Sequence, residues 1–270
     1  MIGFGMRLCA IVLSLFGAGI AASADARPGV QIEQGRLAGT VVDGLRVFKG
    51  IPYALPPVGA RRWRAPEPPA RWAGPRDADA FGASCIQPPY PPGSVYSEPS
   101  RPMSEDCLTL NIWAAKDAKR APVIVWIHGG ALLRGTSASP LYDGREFARR
   151  GIVFVSVNYR LGVLGWLAHP GLSAEAKDGV SGNYGLLDQI AALEWVKRNI
   201  DAFGGDAANV TVMGESAGAL SVSYLLASPR ARGLFARAIL QSTNVRAVPH
   251  LREAAFGLPA AEATGAALAS

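Results

Sequence analysis

Short apolar segments alternate with stretches of helical periodicity through the middle of the chain. Three such segments are rich in β-branched residues and read as strands: residues 108–113, 122–128 and 152–158. A helix over residues 141–150 is predicted between the last two. Strands joined by helices tend to pair in parallel and to be covered on both faces. The pattern therefore predicts an α/β fold with a mostly parallel central sheet covered by helices.

The second half of the chain continues the alternation. Residues 182–206 carry apolar side chains at helical spacing and predict the longest helix, which ends at a Gly-Gly pair. A strand over residues 209–213 is followed at once by a helix from Ala217. A further strand at 236–241 and an alanine-rich helix from about Pro259 complete the series.

The N-terminal region has a different pattern. Residues 30–54 alternate apolar and polar positions, with Gln-Gly and Asp-Gly turns, and predict an antiparallel β meander. Residues 56–75 are dense in Pro and Arg and have little periodicity. We expect an ordered surface loop pinned by Trp63 and Trp72, with a flexible linker as the alternative.

Residues 1–24 have the features of a secretory signal peptide. Arg7 precedes an apolar run from residue 8 to 20, and Ala22-Ser23-Ala24 fits a small-residue cleavage site. The alternative is a membrane anchor, but the run is shorter than the ~20 residues that span a bilayer. We therefore expect a secreted or periplasmic protein whose mature part, residues 25–270, is one portion of an α/β domain without a membrane span.

Composition excludes several function classes. Hydrophobic residues make up 49% of the chain and charged ones 18%, which is typical of a globular domain. The net charge of +6 comes from scattered arginines, so no nucleic-acid-binding patch is indicated. We expect a small-molecule partner, no nucleic acid and no cofactor; composition does not indicate an oligomeric state.

The cysteines are interpreted through the predicted export. Cys9 leaves with the signal peptide, and Cys85 and Cys107 remain as an even pair in an oxidising compartment, which favours a disulfide. Two free buried thiols are the alternative. A metal site is not expected, because no His lies close in sequence to either cysteine.

The segment from Gly214 to Gly218, Gly-Glu-Ser-Ala-Gly, lies between a predicted strand and a predicted helix. This is the context of a nucleophile elbow, in which glycines allow a sharp turn that exposes the serine hydroxyl. Ser216 is therefore the candidate nucleophile. A glycine-rich structural turn is the alternative.

A second glycine-rich stretch, His128-Gly129-Gly130-Ala131, directly follows the strand at 122–128. Small residues there let backbone N–H groups approach a substrate carbonyl oxygen. With the N–H of Ala217, the N–H groups of Gly130 and Ala131 form a candidate oxyanion hole. A simple glycine turn after a strand is the alternative.

Together these motifs resemble the type-B carboxylesterases, the cholinesterase-like family of α/β-hydrolases. The resemblance runs from about Val30 to the last residue and includes SEDCLTLNIW, VIVWIHGGA, VNYRLGVLGWL and NVTVMGESAGALSV. It implies the α/β-hydrolase fold and a serine carboxylic-ester hydrolase that forms an acyl-enzyme on Ser216. It also implies a family disulfide between Cys85 and Cys107, and Ala131 stands where many members have a third glycine. A non-catalytic binding or adhesion member of the same fold is the alternative.

Five other residues carry chemistry that a function could use. Glu215 is adjacent to the candidate nucleophile, and we expect a buried, hydrogen-bonded carboxylate beneath the elbow. We expect a structural role for His128 at its strand end and a surface position for His169. Glu105 and Asp106 are expected to form ion pairs with nearby arginines.

The chain does not contain a complete catalytic triad in the order of this fold. That order is Ser, then Asp or Glu, then His. No acid lies between Ser216 and His250, and no His follows Glu253 or Glu262. The expectation is therefore an N-terminal part of an esterase that, on its own, is inactive or weakly active.

Overall fold

A mixed β-sheet with helices on both faces forms the centre of the computed structural model. It describes residues 1–2, 27–94, 101–243 and 248–270. All but the first two residues of the predicted signal peptide lie outside these ranges. The strands of the described part are β1 (Gly29–Ile32), β2 (Gly35–Ala38), β3 (Thr40–Val42), β4 (Leu45–Pro52), β5 (Pro75–Asp77), β6 (Thr109–Ala115), β7 (Ala121–Ile127), β8 (Val153–Val157), β9 (Gly205–Glu215) and β10 (Arg237–Gln241).

Seven of these strands form one sheet in the order β10-β9-β7-β8-β6-β4-β3. Strands β10, β9, β7 and β8 pair in parallel, and β8, β6, β4 and β3 pair antiparallel. The parallel part confirms the sheet expected from the alternation of strands and helices. Every residue of β8 is buried, as a central strand covered on both faces requires.

The helices of the described part are α1 (Arg145–Arg149), α2 (Gly162–Trp166), α3 (Pro170–Glu175), α4 (Tyr184–Asn199), α5 (Ala217–Ala227) and α6 (Ala261–Ala269). α4 is the long predicted helix, and it continues as a 3₁₀ turn over Ile200–Phe203. The helix predicted over residues 141–150 is shorter than expected: Pro140–Tyr142 is a 3₁₀ turn, and α1 begins only after Gly144. No helix in the described ranges has the length and apolar character needed to cross a membrane.

The predicted meander is divided between two sheets. β1 and β2 form a hairpin that pairs with β5, whereas the hairpin of β3 and β4 lies at the edge of the main sheet. The break falls at Gly39, where a Cβ would come within 2.6 Å of both the Phe48 ring and the Val47 carbonyl oxygen. Both hairpins were expected; their separation was not.

Two tryptophans fix the Pro- and Arg-rich loop, as predicted. The indole N–H of Trp72 donates to the Arg36 carbonyl over 3.0 Å, and that of Trp63 donates to the Val163 carbonyl over 2.9 Å. A flexible linker is thereby excluded for this segment.

Candidate active site

The candidate nucleophile lies at a sharp turn between β9 and α5. Strand β9 ends at Glu215, and α5 begins at Ala217. Ser216, the single residue between them, has φ +53° and ψ −119°, a backbone conformation that L-residues rarely adopt. Its side chain is exposed. The structure therefore has the strand, strained turn and helix of a nucleophile elbow.

The two motif glycines are required by close backbone contacts. A Cβ on Gly214 would lie 2.4 Å from the carbonyl carbon of Gly218, and a Cβ on Gly218 would lie 2.1 Å from the carbonyl oxygen of Ile127. The Ser216 N–H donates to the Gln241 carbonyl over 2.9 Å, which attaches the turn to the end of β10. The elbow is thus held against the ends of β7 and β10.

The second glycine-rich stretch forms a tight turn beside the elbow. Gly130 has φ +109°, and a Cβ there would lie 2.2 Å from the Arg134 carbonyl oxygen. The Gly130 carbonyl accepts the N–H groups of Leu133 and Arg134 over 3.1 and 3.0 Å. A Cβ on Gly129 would lie 3.2 Å from the Cβ of Ser216, so this turn, residues 128–135 and here called the oxyanion turn, contacts the elbow directly.

The candidate oxyanion donors are the N–H groups of Gly130, Ala131 and Ala217. Within the described ranges none of the three donates to a protein acceptor. Ala131 adopts φ +57°, so its methyl group is accommodated in a turn that often carries glycine. Three unpaired N–H groups beside an exposed serine are what stabilisation of a tetrahedral oxyanion requires.

His128 supports the oxyanion turn and is poorly suited to act as a base. Its side chain is 1% exposed, its ring stacks on Tyr159 at 4.5 Å, and burial lowers its pKa to about 4. Its Nδ1 lies 2.8 Å from the Gly129 carbonyl oxygen, so Nδ1 carries the proton and donates. This agrees with the predicted structural role.

Glu215 differs from the expectation of a buried, hydrogen-bonded carboxylate. It is half-buried, and no group of the described residues donates to its side chain. The carboxylate lies against the oxyanion turn, since a Cβ on Gly129 would come within 2.7 Å of its Oε2. The prediction was wrong: β9 extends through Glu215, and the side chain is only half-buried and lies beside Gly129 without a hydrogen-bond donor from the described residues.

The remaining candidates have local roles. His169 is half-buried, and its Nδ1 accepts the N–H of Gly171 over 3.0 Å at the start of α3, so it is a helix cap and not a free surface residue. The exposed His250 packs edge-on against Phe256.

Of the two acids beside Cys107, only Glu105 has the predicted ion pair. It receives two hydrogen bonds from Arg62, at 2.5 and 2.6 Å, and this guanidinium lowers its pKa. Asp106 is exposed, and no ion pair of the described part includes it, so the expectation for this residue was wrong.

A buried polar network that sequence reasoning missed holds the segment after the oxyanion turn. Asn158, just beyond β8, accepts the Ser137 N–H over 2.7 Å. Asn111 of β6 donates to the hydroxyls of Ser137 and Ser156, each over 3.0 Å. The only sequence signal was the presence of polar residues within otherwise apolar strands.

An apolar cleft of about 480 Å³ opens beside Ala131. Its walls come from the oxyanion turn, α2, the segment after α2, Pro249 and α6, and include Leu132, Leu133, Val163, Trp166 and Leu268. No charged side chain lines it. The cleft can therefore receive an apolar group of a molecule held at the oxyanion donors.

Comparison with known proteins gives a consistent result. The model of the carboxylesterase family matches residues 26–263. The chain is 50% identical over 205 residues to the fumonisin B1 esterase of Sphingopyxis macrogoltabida, covering 74% of this chain and 37% of that protein. It is 50% identical over 215 residues to the para-nitrobenzyl esterase of Bacillus subtilis (strain 168), covering 79% and 43%.

A solved structure of a PNB esterase superposes with a TM-score of 0.77 at 44% identity, covering 89% of this chain and 47% of that one. This confirms the fold class. The chain spans about half, or less, of the length of these relatives.

Proposed function

The chain belongs to the carboxylesterase family, and from this premise we propose that it supplies the nucleophile and oxyanion donors of a secreted serine carboxylic-ester hydrolase. The observation that carries the proposal is the exposed, strained Ser216 beside three unpaired N–H groups. A protein that only binds its ligand has no need for this arrangement, and no observation favours the non-catalytic alternative. Export is part of the proposal, and the Cys85–Cys107 disulfide in the structure is consistent with it.

The proposed reaction passes through an acyl-enzyme. The Ser216 oxygen attacks the ester carbonyl carbon as a base removes its proton, and the oxygen of the tetrahedral intermediate accepts from the N–H groups of Gly130, Ala131 and Ala217. The alcohol leaves with a proton, and water then releases the acid and restores the serine. Removal of one oxyanion-hole donor, a side-chain amide, costs about 3 kcal/mol of transition-state stabilisation in subtilisin.

We propose that the base and its partner acid lie outside these 270 residues. His128 is buried with its Nδ1 proton donated to a carbonyl, His169 caps a helix, and His250 packs on Phe256. None of the three is hydrogen-bonded to Ser216 in the described part. The greater length of the relatives is consistent with a base supplied from elsewhere in a complete protein.

The cleft beside Ala131 supports an ester with an apolar acyl or alcohol group. Its uncharged lining disfavours substrates with a charge at that position, since an unpaired charge is costly to bury. Para-nitrobenzyl esters, which the name of one relative mentions, are suitable first probes.

The test compares Ser216→Ala with the unaltered protein. In a complete polypeptide that includes this chain, the variant should lose hydrolysis of a nitrobenzyl ester, and a fluorophosphonate should label the Ser216 peptide only in the unaltered protein. Residues 25–270 alone should show near-background turnover, because loss of the triad histidine costs about 10⁶-fold in subtilisin. Full activity of a folded Ser216→Ala protein would refute the assignment.

A further inference from the structure

The side chain of Gln87 pairs with the backbone of the oxyanion turn in both directions. Its Oε1 accepts the Gly135 N–H over 2.8 Å, and its Nε2 donates to the Gly135 carbonyl over 2.8 Å. The same Nε2 donates to the Cys85 carbonyl over 3.0 Å. The amide oxygen thus accepts one hydrogen bond, and the amide NH₂ group donates two.

Gly135 is the point where the oxyanion turn closes on itself. It has φ +114°, and a Cβ there would lie 2.3 Å from His128 Nδ1 and 2.6 Å from the Gly129 carbonyl oxygen. The Gly135 peptide therefore packs against the first two residues of the turn. This close packing links the position of Gly135 to those of His128 and Gly129, which precede the proposed donors.

Three further contacts join residues 84–90 to the oxyanion turn or to the residue that follows it. The Arg134 Nε donates to the Pro89 carbonyl over 3.0 Å, and its guanidinium lies 5.9 Å from the centre of the Tyr90 ring. On the other side of Gln87, the Ser84 hydroxyl donates to the Thr136 hydroxyl over 3.1 Å. The segment from residue 84 to 90 thus lies along the turn, with Gln87 at its centre.

The disulfide fixes the base of this segment. Cys85, two residues before Gln87, is bonded to Cys107 and is 3% exposed. Because Gln87 also bonds the Cys85 carbonyl, its amide is oriented from a rigid point. The hydrogen bonds between Gln87 and Gly135 are therefore anchored to the disulfide through Cys85.

We propose that Gln87 is a positioning residue: it fixes the oxyanion turn and so holds the N–H groups of Gly130 and Ala131 in place for the reaction. The inference rests on the proposed function for its catalytic consequence. Its structural part, fixation of the turn, is independent of that function.

The structural part is tested by hydrogen exchange on two variants. Gln87→Met keeps the length of the side chain but removes its hydrogen-bond donor and acceptor. Gln87→Glu keeps an acceptor oxygen but loses the N–H donor. The exchange rate of the Gly135 amide should rise about tenfold in Gln87→Met, because its one hydrogen bond is lost. In Gln87→Glu a carboxylate replaces the amide donor opposite two carbonyl oxygens, and the rest of the turn should exchange faster. Unchanged exchange in the folded variants would overturn the proposal.

The matched control is Gln31→Met, on β1, whose exposed side chain bonds only the Ile32 carbonyl among the residues that the structure describes. It should leave exchange in residues 128–135 unaltered. Faster exchange of this segment in the control would mean that the faster exchange in the Gln87 variants comes from general destabilisation, and it would overturn the role of Gln87.

The catalytic part is tested by steady-state kinetics of a complete esterase that includes this chain. We expect kcat to fall about tenfold in Gln87→Met with KM within about twofold, less than the 10²–10³-fold that loss of a whole oxyanion donor costs. An unaltered kcat despite faster exchange would overturn the positioning role. If the unaltered protein itself shows no Ser216-dependent turnover, the proposed function fails, and the exchange result still decides whether Gln87 fixes the turn.

Discussion

Replacing Ser216 with glycine is expected to stabilise the fold while it removes the proposed nucleophile. The residue has φ +53° and ψ −119°, which corresponds to the first central position of a type II′ turn, where glycine dominates. A non-glycine residue in such a region costs about 1–3 kcal/mol. The fold therefore stores strain at the residue that the proposed chemistry uses.

The net gain follows from two opposing contributions. Glycine relieves the strain but loses about 0.5–1 kcal/mol more conformational entropy on folding. Ser216 is exposed and its side chain does not cap α5, so little packing is lost with it. Ser216→Gly should therefore raise the free energy of unfolding by about 1 kcal/mol.

Ser216→Ala is the matched variant, since it removes the hydroxyl and keeps the strained Cβ. A serine that caps a helix costs about 1 kcal/mol when replaced by alanine, but this side chain makes no cap bond, so the change should stay within about 0.5 kcal/mol. Ala191→Gly, within α4, should change the free energy of unfolding in the opposite direction. Glycine in an ordinary helix destabilises it by about 1 kcal/mol.

The assay is urea unfolding of the four proteins, with the denaturant slope required to stay constant. The expected order of stability is Ser216→Gly, then Ser216→Ala together with the unaltered protein, then Ala191→Gly. A Ser216→Gly protein that is no more stable than Ser216→Ala would show that the turn is not strained, and the reasoning from φ and ψ would fail.

Three further predictions concern the residues around the site. Cys85→Ser breaks a disulfide between residues 22 apart in sequence and should lower the free energy of unfolding by about 3 kcal/mol, measured by urea midpoint; a loss under about 1 kcal/mol would contradict it. Burial lowers the pKa of His128 from 6.5 to about 4, so between these pH values the unfolded chain binds a proton and the folded chain does not. The contribution of His128 to the free energy of unfolding should therefore be complete above pH 6.5 and fall by up to about 3 kcal/mol as the pH drops to 4. The variant His128→Asn should show a flatter dependence of stability on pH. Asp188→Asn leaves the buried Arg160 guanidinium without its carboxylate partner at 2.7 Å and should lower the free energy of unfolding by about 3–5 kcal/mol. The double variant Arg160→Met, Asp188→Leu should lower it less, because no unpaired charge stays buried. Equal losses of stability for the two proteins in calorimetry would contradict this.

The parallel part of the sheet and the elbow could be predicted from sequence because their signals are local. Strands such as β7 and β8 are nearly continuous apolar runs, since both faces of the sheet are covered. The Gly-Glu-Ser-Ala-Gly turn lies between two elements of different periodicity, so its position was fixed by its neighbours. The predicted and observed bounds of β7, β8 and β10 differ by no more than one residue at either end.

Sheet membership could not be predicted in the same way. β5 is a three-residue strand, Pro75–Asp77, with every residue exposed, so it carries no apolar signal. It pairs with β2, so β5 and the first hairpin form a second, three-stranded sheet. The length of α1 was also misjudged, because the first residues of the predicted helix form a 3₁₀ turn over Pro140–Tyr142 that Ser139 caps, and α1 begins only after Gly144.

The partners of the oxyanion turn lie far away in sequence, yet their presence follows from the chemistry of the turn. Glycines at positive φ take residues 129–135 out of any helix or strand, so their peptide groups cannot be satisfied by a regular ladder. The structure satisfies some of them individually: the Gly130 carbonyl accepts two N–H groups, and Gly135 pairs with Gln87, 48 residues away. Within the described part the N–H groups of Gly130 and Ala131 donate to no protein acceptor. A turn that is held by its own hydrogen bonds and by Gln87, and that leaves the N–H groups of Gly130 and Ala131 free beside an exposed serine, is the feature that distinguishes an oxyanion hole from a glycine-rich loop.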